Sequence, residues 1–241
     1  NHGVNRVFCV PGESYLALIE ALYDTPDIDV VTARHEGGAS FMAVADAKIT
    51  GKPGIVMVSR GPGATNASIG IHVSQQDAVP VIMFVGQVSR EDRGRGAFQE
   101  IDYVKTYSDM TKWVIEVSDA DKISECVQRA FVIAQSGTPG PVIISLPEDM
   151  LLDETNIPAL TPVVISQPKP NMNDISKICE MIAIAKRPLI IAGGQIGGSA
   201  GRNALRTVSE TWDIPVATAW RHQDLFNTNH PNFSCHLAFN M

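Results

Sequence analysis

Gly54-Ile55-Val56-Met57-Val58-Ser59-Arg60-Gly61-Pro62-Gly63-Ala64-Thr65-Asn66 sets the architecture of this chain. The first six residues form an apolar, β-branched run of strand length, and Gly61-Pro62-Gly63 then supplies a bare-backbone turn into a helix. A strand feeding a helix in this way is the repeating unit of a parallel sheet. The same unit stands one step upstream, where Ile28 to Ala33 reads as a strand and Arg34-His35-Glu36-Gly37-Gly38-Ala39 places the carboxylate of Glu36 at the start of the next helix. Together the two turns suggest a site that holds a flat, nitrogen-bearing ring edge-on to one acid.

The pattern extends in both directions. Val4 to Val10 reads as a strand ending at Pro11-Gly12, with helical spacing of Leu16, Ile19, Ala21 and Leu22 behind it. Glu36 to Ile49 places Phe41, Met42, Ala45 and Ile49 on one helical face, ended by Gly51-Lys52-Pro53. Val79 to Val85 and Gly140 to Leu146 are further strands, with a helix around Ile123 to Gln135 between them. Strands alternating with helices at this spacing predict an α/β fold, a parallel sheet with helices on both faces, whose ligands bind beyond the carboxyl ends of the strands.

Pro158 to Pro170 carries little periodicity and reads as a linker. A second α/β unit follows: a helix from Asn173 to Ala185, a strand from Arg187 to Ala192, Gly193 to Gly198 leading into another helix, a strand from Ile214 to Thr218, and a tail rich in Asn and His. It has too few strands to bury both faces of a sheet and reads as truncated. Asn1-His2-Gly3 resembles a helix C-terminus, so the chain reads as part of a longer protein.

Composition narrows the function. With 241 residues and 44% hydrophobic content the chain can bury a sizeable core. A net charge of −7 with no Lys/Arg-rich run speaks against nucleic acid as a partner. No apolar run is long enough to span a bilayer. Four scattered cysteines, Cys9, Cys126, Cys179 and Cys235, indicate neither a zinc site nor a disulfide framework and favour a reducing, cytoplasmic setting.

Six motifs stand in order along the chain: Val7-Phe8-Cys9-Val10-Pro11-Gly12, Arg34-His35-Glu36, Thr50-Gly51-Lys52-Pro53-Gly54, Gly61-Pro62-Gly63-Ala64-Thr65-Asn66, Val79-Pro80-Val81 with Gly86-Gln87-Val88, and Ala97-Phe98-Gln99-Glu100. In this order they resemble the pyrimidine-binding domain of thiamine diphosphate enzymes, and within these the acetolactate synthase (acetohydroxyacid synthase) large-subunit group. The resemblance runs from about Gly3 to Leu152, and Arg187 to Gly201 is similar to the start of the family's central domain. It implies the thiamine diphosphate-binding fold over residues 1–157, a linker over 158–172 and part of a Rossmann-like central domain over 173–241.

The resemblance also implies thiamine diphosphate as cofactor. Glu36 would hydrogen-bond N1′ of the aminopyrimidine, so that the cofactor's own imino group can deprotonate the thiazolium C2; an apolar surrounding would let such a carboxyl share its proton near neutrality. Pro11, Gly12, Ser59, Pro62 and Asn66 would lie near the cofactor. Gln99 would face the reaction centre, where an amide can hydrogen-bond a substrate carboxylate or an intermediate. The diphosphate and Mg2+ would be held by a C-terminal domain absent from these residues, so no residue here is assigned to a metal. FAD can occupy the central domain of such synthases in a non-redox role. The implied activity is decarboxylation of a 2-oxo acid such as pyruvate and carboligation to a second carbonyl compound, as in branched-chain amino-acid biosynthesis. The implied assembly is a homodimer or homotetramer, with no nucleic-acid or membrane partner. Alternatives are a plain decarboxylase, an oxalyl-CoA or sulfoacetaldehyde type enzyme, or a non-catalytic module retaining the fold; the retained Glu36 speaks against the last.

Departures and plain readings stand beside this. Arg60 occupies a place usually held by a small residue, where a cation could select an acidic substrate. Glu36 could serve only the helix macrodipole. His35-Glu36 is not a zinc motif, because Ala39 stands where HExxH needs its second histidine. Gly193 to Gly201 lacks the Gly-x-Gly-x-x-Gly spacing of a dinucleotide turn. Arg90 to Arg95 reads as a charged loop, and His72, His222, His230 and His236 are assigned no chemistry.

Overall fold

The computed structural model describes residues 1–166 and 168–237. The chain divides into two compact units, Asn1–Ile165 and the residues from Ser166 on. The first contains β1 (Arg6–Cys9), α1 (Leu16–Tyr23), β2 (Asp29–Thr32), α2 (Glu36–Thr50), β3 (Gly54–Val58), α3 (Gly61–Gln76), β4 (Val81–Gln87), α4 (Tyr103–Tyr107), β5 (Trp113–Glu116), α5 (Ile123–Gln135) and β6 (Val142–Pro147). Its six strands form one parallel sheet in the order β2-β1-β3-β4-β6-β5. Phe8 of β1 lies opposite Val31 of β2 on one side and Val56 of β3 on the other.

Both faces are covered, which is why the central strands show no polar alternation. All five residues of β3 are buried. Val56 and Val58 join a core with Ala39, Ala43 and Ala47 of α2 and Ala64, Ala67 and Ile71 of α3. Ile55 and Met57 point the other way, into a core with Tyr15 and with Ala130, Phe131 and Ala134 of α5.

The buried stripe of α2 differs from the one its large apolar residues suggest. Gly37, Ala39, Ser40, Ala43, Val44 and Ala47 are buried, whereas Phe41 is 42% and Ile49 85% exposed, and Ala45 is exposed as well. Close approach of backbones is the reason. A Cβ on Gly54 would lie 2.0 Å from the Ala43 carbonyl oxygen, and one on Gly70 would lie 2.2 Å from Ser40 Oγ. Only small residues fit where α2 meets β3 and α3, so the larger ones face outward.

The second unit contains α6 (Met172–Ile184), β7 (Ile190–Ala192), α7 (Gly198–Trp212), β8 (Val216–Thr218) and β9 (Phe233–His236). Its three strands are parallel in the order β7-β8-β9, over a small core of Ala192, Leu205, Val216, Leu225 and Phe226. Ile191 is 60% exposed, and α6 has no buried residue. The Asn- and His-rich tail includes β9, a strand the sequence reading did not identify. Residue 167 of the expected linker and residues 238–241 of the expected central domain lie outside the described residues. The first part of that linker lies along the first unit, where the carbonyls of Leu160 and Thr161 accept hydrogen bonds from the Asn1 and Gln128 side-chain amides.

The contact geometry gives a sign that helix propensity alone would reverse. Alanine for a helical glycine is ordinarily favourable. Gly70→Ala in α3, and Gly54→Ala at the start of β3, are instead expected to destabilise the protein by about 1–3 kcal/mol through overpacking. Urea denaturation measures this, and an unchanged or raised midpoint for Gly70→Ala would contradict the packing described.

Candidate active site

The strand order reverses at β1: the chain lays β2 on one side of it and then crosses to place β3 on the other. A crevice opens beyond the carboxyl ends of strands at such a reversal. Gly12 follows β1 and Ser59 follows β3, and the two are in contact: a Cβ on Gly12 would lie 2.7 Å from Ser59 Cβ. Ser59 in turn meets the first turn of α3, since a Cβ on Gly63 would lie 2.6 Å from Ser59 Oγ and 3.3 Å from Glu36 Oε1. Bare backbone at both glycines is what lets the strand ends and the carboxylate converge.

Glu36 is the first residue of α2. His35 precedes it in extended conformation and accepts a hydrogen bond from Gly37 N on Nδ1 at 3.0 Å, capping the helix. The carboxylate therefore sits in the first turn, where the macrodipole favours it. Asn66 Nδ2 donates to Glu36 Oε2 at 3.0 Å. Glu36 is half-buried, and Asn66, which donates this bond, is exposed. Pro11 and Pro62 are exposed beside Gly12 and Gly63.

Buried side chains hold this arrangement from beneath. Tyr15 is 2% exposed, and its hydroxyl donates to the Val10 carbonyl just before Pro11. Burial pushes that hydroxyl well above the ordinary phenol range, with the charges of Cys9 and Glu36 adding to the effect. Tyr103 on α4 accepts from Gly61 N at 3.0 Å and donates to the Gly86 carbonyl at 3.1 Å, tying the glycine turn to β4. Burial raises its hydroxyl to about 12. Tyr107, one turn further, donates to the Ala64 carbonyl.

Arg60 is 8% exposed and does not present a free cation to the crevice. Its Nη2 donates to Glu13 at 3.0 Å and its Nη1 to Glu148 at 2.8 Å, so the guanidinium joins the segments that follow β1, β3 and β6. The anion-selecting role raised from its position is replaced by a clamp between loops.

Gln99 reaches the same turn from the segment after β4. Its backbone is left-handed, at φ 63°, which is uncommon for a residue with a Cβ. A Cβ on Gly61 would lie 2.7 Å from the Gln99 carbonyl oxygen and 3.0 Å from Gln99 Cβ. Phe98 beside it is 75% exposed. Glu100 closes the segment by accepting from Gly94 N at 2.6 Å and Ala97 N at 3.2 Å.

The structure thus brings Gly12, Ser59, Glu36 and Asn66 into one chain of contacts and joins Gln99 to it through Gly61. Pro11 and Pro62 border it. Sequence reading missed Tyr15, Tyr103, Tyr107 and the Glu13-Arg60-Glu148 clamp. Tyr103 and Tyr107 did offer a signal, two aromatics at i and i+4 just behind Gln99.

Comparison with known proteins assigns the class. Residues 1–106 match the family model described as thiamine pyrophosphate enzyme, N-terminal TPP binding domain, and residues 175–240 match the thiamine pyrophosphate enzyme central domain. The chain belongs to the thiamine pyrophosphate enzymes. Among individual proteins it is similar to the acetolactate synthase large subunit of Lactococcus lactis, 37% identical over 220 residues, covering 90% of this chain and 38% of the relative. It is also similar to the acetolactate synthase isozyme 3 large subunit of Escherichia coli, 33% identical over 236 residues, covering 95% of this chain and 41% of the relative. The probable acetolactate synthase large subunit of Methanocaldococcus jannaschii is 35% identical over 240 residues, covering 95% of this chain and 40% of the relative. The chain spans about two fifths of the length of these relatives. Among the described residues no helix is long and apolar enough to cross a membrane.

The segment carrying Gln99 has a definite pH response. The hydrogen bond from Gly94 N is the main reason that the Glu100 carboxyl is held below its ordinary range. A carboxyl depressed in the folded state contributes stability that is fully present above its unfolded pKa, about 4, and is lost as pH falls through the folded value. Protection of the Gly94 and Ala97 amides, corrected for intrinsic exchange, is therefore expected to stay level from neutrality down to about pH 5 and to fall only below about pH 4. Loss that begins above pH 5 would contradict this reading of Glu100.

Proposed function

We propose that the chain is the N-terminal part of an acetolactate synthase-like thiamine diphosphate enzyme, which decarboxylates a 2-oxo acid such as pyruvate and joins the two-carbon fragment to a second carbonyl compound. Residues 1–157 would form the pyrimidine-binding domain, 158–172 a linker and 173–241 part of the central domain. The reading is carried by the contact chain Gly12–Ser59–Gly63–Glu36–Asn66 at the strand-order reversal, together with the relatives named above.

These residues fit the aminopyrimidine half of the cofactor: one carboxyl group, bonded by the Asn66 amide, stands beside a turn in which Gly61 and Gly63 carry no side chain. Glu36 would hold a proton at the ring nitrogen, with Pro11, Gly12, Ser59, Pro62 and Asn66 bordering the ring and Gln99 hydrogen-bonding the substrate carboxylate. When bound, the cofactor supplies the electron sink for decarboxylation. Mg2+ and the diphosphate would be held outside this chain, across a homodimer or homotetramer interface. FAD would belong to the central domain, which flavin absorbance of the purified protein tests. A cytoplasmic setting accords with the free cysteines Cys9, Cys126, Cys179 and Cys235.

Glu36→Gln in the intact protein is expected to slow cofactor C2 proton exchange by about 10²–10⁴-fold. Exchange at the wild-type rate would remove Glu36 from the role proposed. Product analysis with pyruvate separates a synthase, which releases acetolactate, from a plain decarboxylase, which does not.

A further inference from the structure

The segment between β4 and α4 is held from the far edge of the sheet by a chain of charges that the active-site reading does not use. β5 ends in Glu116, whose Oε1 accepts from Arg93 Nε at 3.0 Å. Arg93 Nη1 donates to Glu100 Oε1 at 2.6 Å, and that same oxygen accepts from Gly94 N. One guanidinium therefore ties the carboxylate that closes the 94–100 segment to a strand of the sheet. Behind it, Gln87 at the end of β4 is fully buried and donates to Glu116 Oε2 at 3.2 Å and to the Ile101 carbonyl at 2.9 Å.

An ordinary surface ion pair is loose and screened. This one differs in three respects. The Arg93 and Glu100 side chains are only 26% and 12% exposed. Each carboxylate also bonds a further group, backbone amides at Glu100 and a buried amide at Glu116, so the members order one another. Burial opposes the charge on Arg93, yet Glu116 and Glu100 outweigh it and hold the guanidinium more firmly charged than usual. The segment so fixed has left-handed backbone at Gly94, Gly96 and Gln99, and Gln99 lies against Gly61. Unusual backbone at a non-glycine persists only where its surroundings over-determine it.

We propose that Arg93 is a positioning residue for Gln99: the Glu116–Arg93–Glu100 chain fixes the 94–100 segment so that Gln99 stays beside the Gly61–Gly63 turn, and thereby sets how well the site holds its carboxylate-bearing substrate. This rests on the thiamine diphosphate reading given above. Arg93 acts through Gln99 and need not touch the cofactor or the substrate itself.

A double-mutant cycle in the intact protein, with thiamine diphosphate, Mg2+ and pyruvate, tests it. Arg93→Ala should raise KM for pyruvate by about tenfold with a smaller change in kcat, the pattern of lost substrate binding. Arg93→Lys should recover only part of this, because a point charge replaces a two-pronged fork. Arg93→Ala should add no further loss to Gln99→Ala, since the two act in series. In the cofactor-free protein, Arg93→Ala should speed hydrogen exchange at Gly94 and Ala97 while leaving β3 and β4 amides protected. Multiplying losses in the double mutant, or unchanged exchange in the segment, overturns the proposal. If Arg93→Ala does not fold, Glu116→Gln, which keeps an acceptor but removes a charge, enters the same cycle with the same outcomes. Wild-type protein that shows no cofactor C2 exchange overturns both the site reading and this inference. Normal wild-type exchange with multiplying losses overturns the inference alone.

Discussion

Glycine backbone meeting its neighbours without an intervening Cβ is the constraint on which the structure depends. At Gly54, Gly61, Gly63 and Gly70 the nearest neighbour of an added Cβ would be 2.0–2.7 Å away, closer than real Cβ contacts. The first and last of these fix the depth at which α2 lies on β3 and α3. The middle two fix how near the start of α3 comes to the end of β3, to Glu36 and to Gln99. Fold and site are therefore products of one packing solution. Moving α2 outward by the width of a methyl group would carry Glu36 with it.

The sheet was legible in the sequence where strands are buried on both faces, because runs such as Ile55 to Val58 have no other explanation at that length. β5 was not legible. It is a four-residue edge strand whose residues are all half-buried, so it carries neither a full apolar run nor a clean alternation. β9 was hidden in a polar stretch for a similar reason, with only Cys235 buried among its residues. The buried face of α2 was misread because periodicity weighs large apolar residues most, while close helix packing selects small ones. Phe41 and Ile49 accordingly lie outside.

Glu36 and the glycine turn were legible as neighbours because each comes just after a strand, and topology then carries strand ends to one edge of the sheet; Asn66 follows from the turn, lying in the first turns of α3. The supports of the site were not. Tyr103 is 42 residues from Gly61, and Arg60 is 88 from Glu148. No local pattern joins residues so far apart. Arg60 shows the hazard of assigning chemistry to a charge by its proximity in sequence, since its two carboxylate partners come from other strand ends.

The glycines that admit the carboxylate also bear on how such a protein can diverge. A change at Gly61 or Gly63 would disturb the packing at the start of α3 and the placement of Gln99, Ser59 and Glu36 together, so these positions offer no gradual route of divergence. Glu36, Asn66 and Gln99 are side chains hung on a backbone that others hold in place. Substitutions can accumulate at the exposed rim, around Phe98, while the contacts of the floor beneath it stay in place.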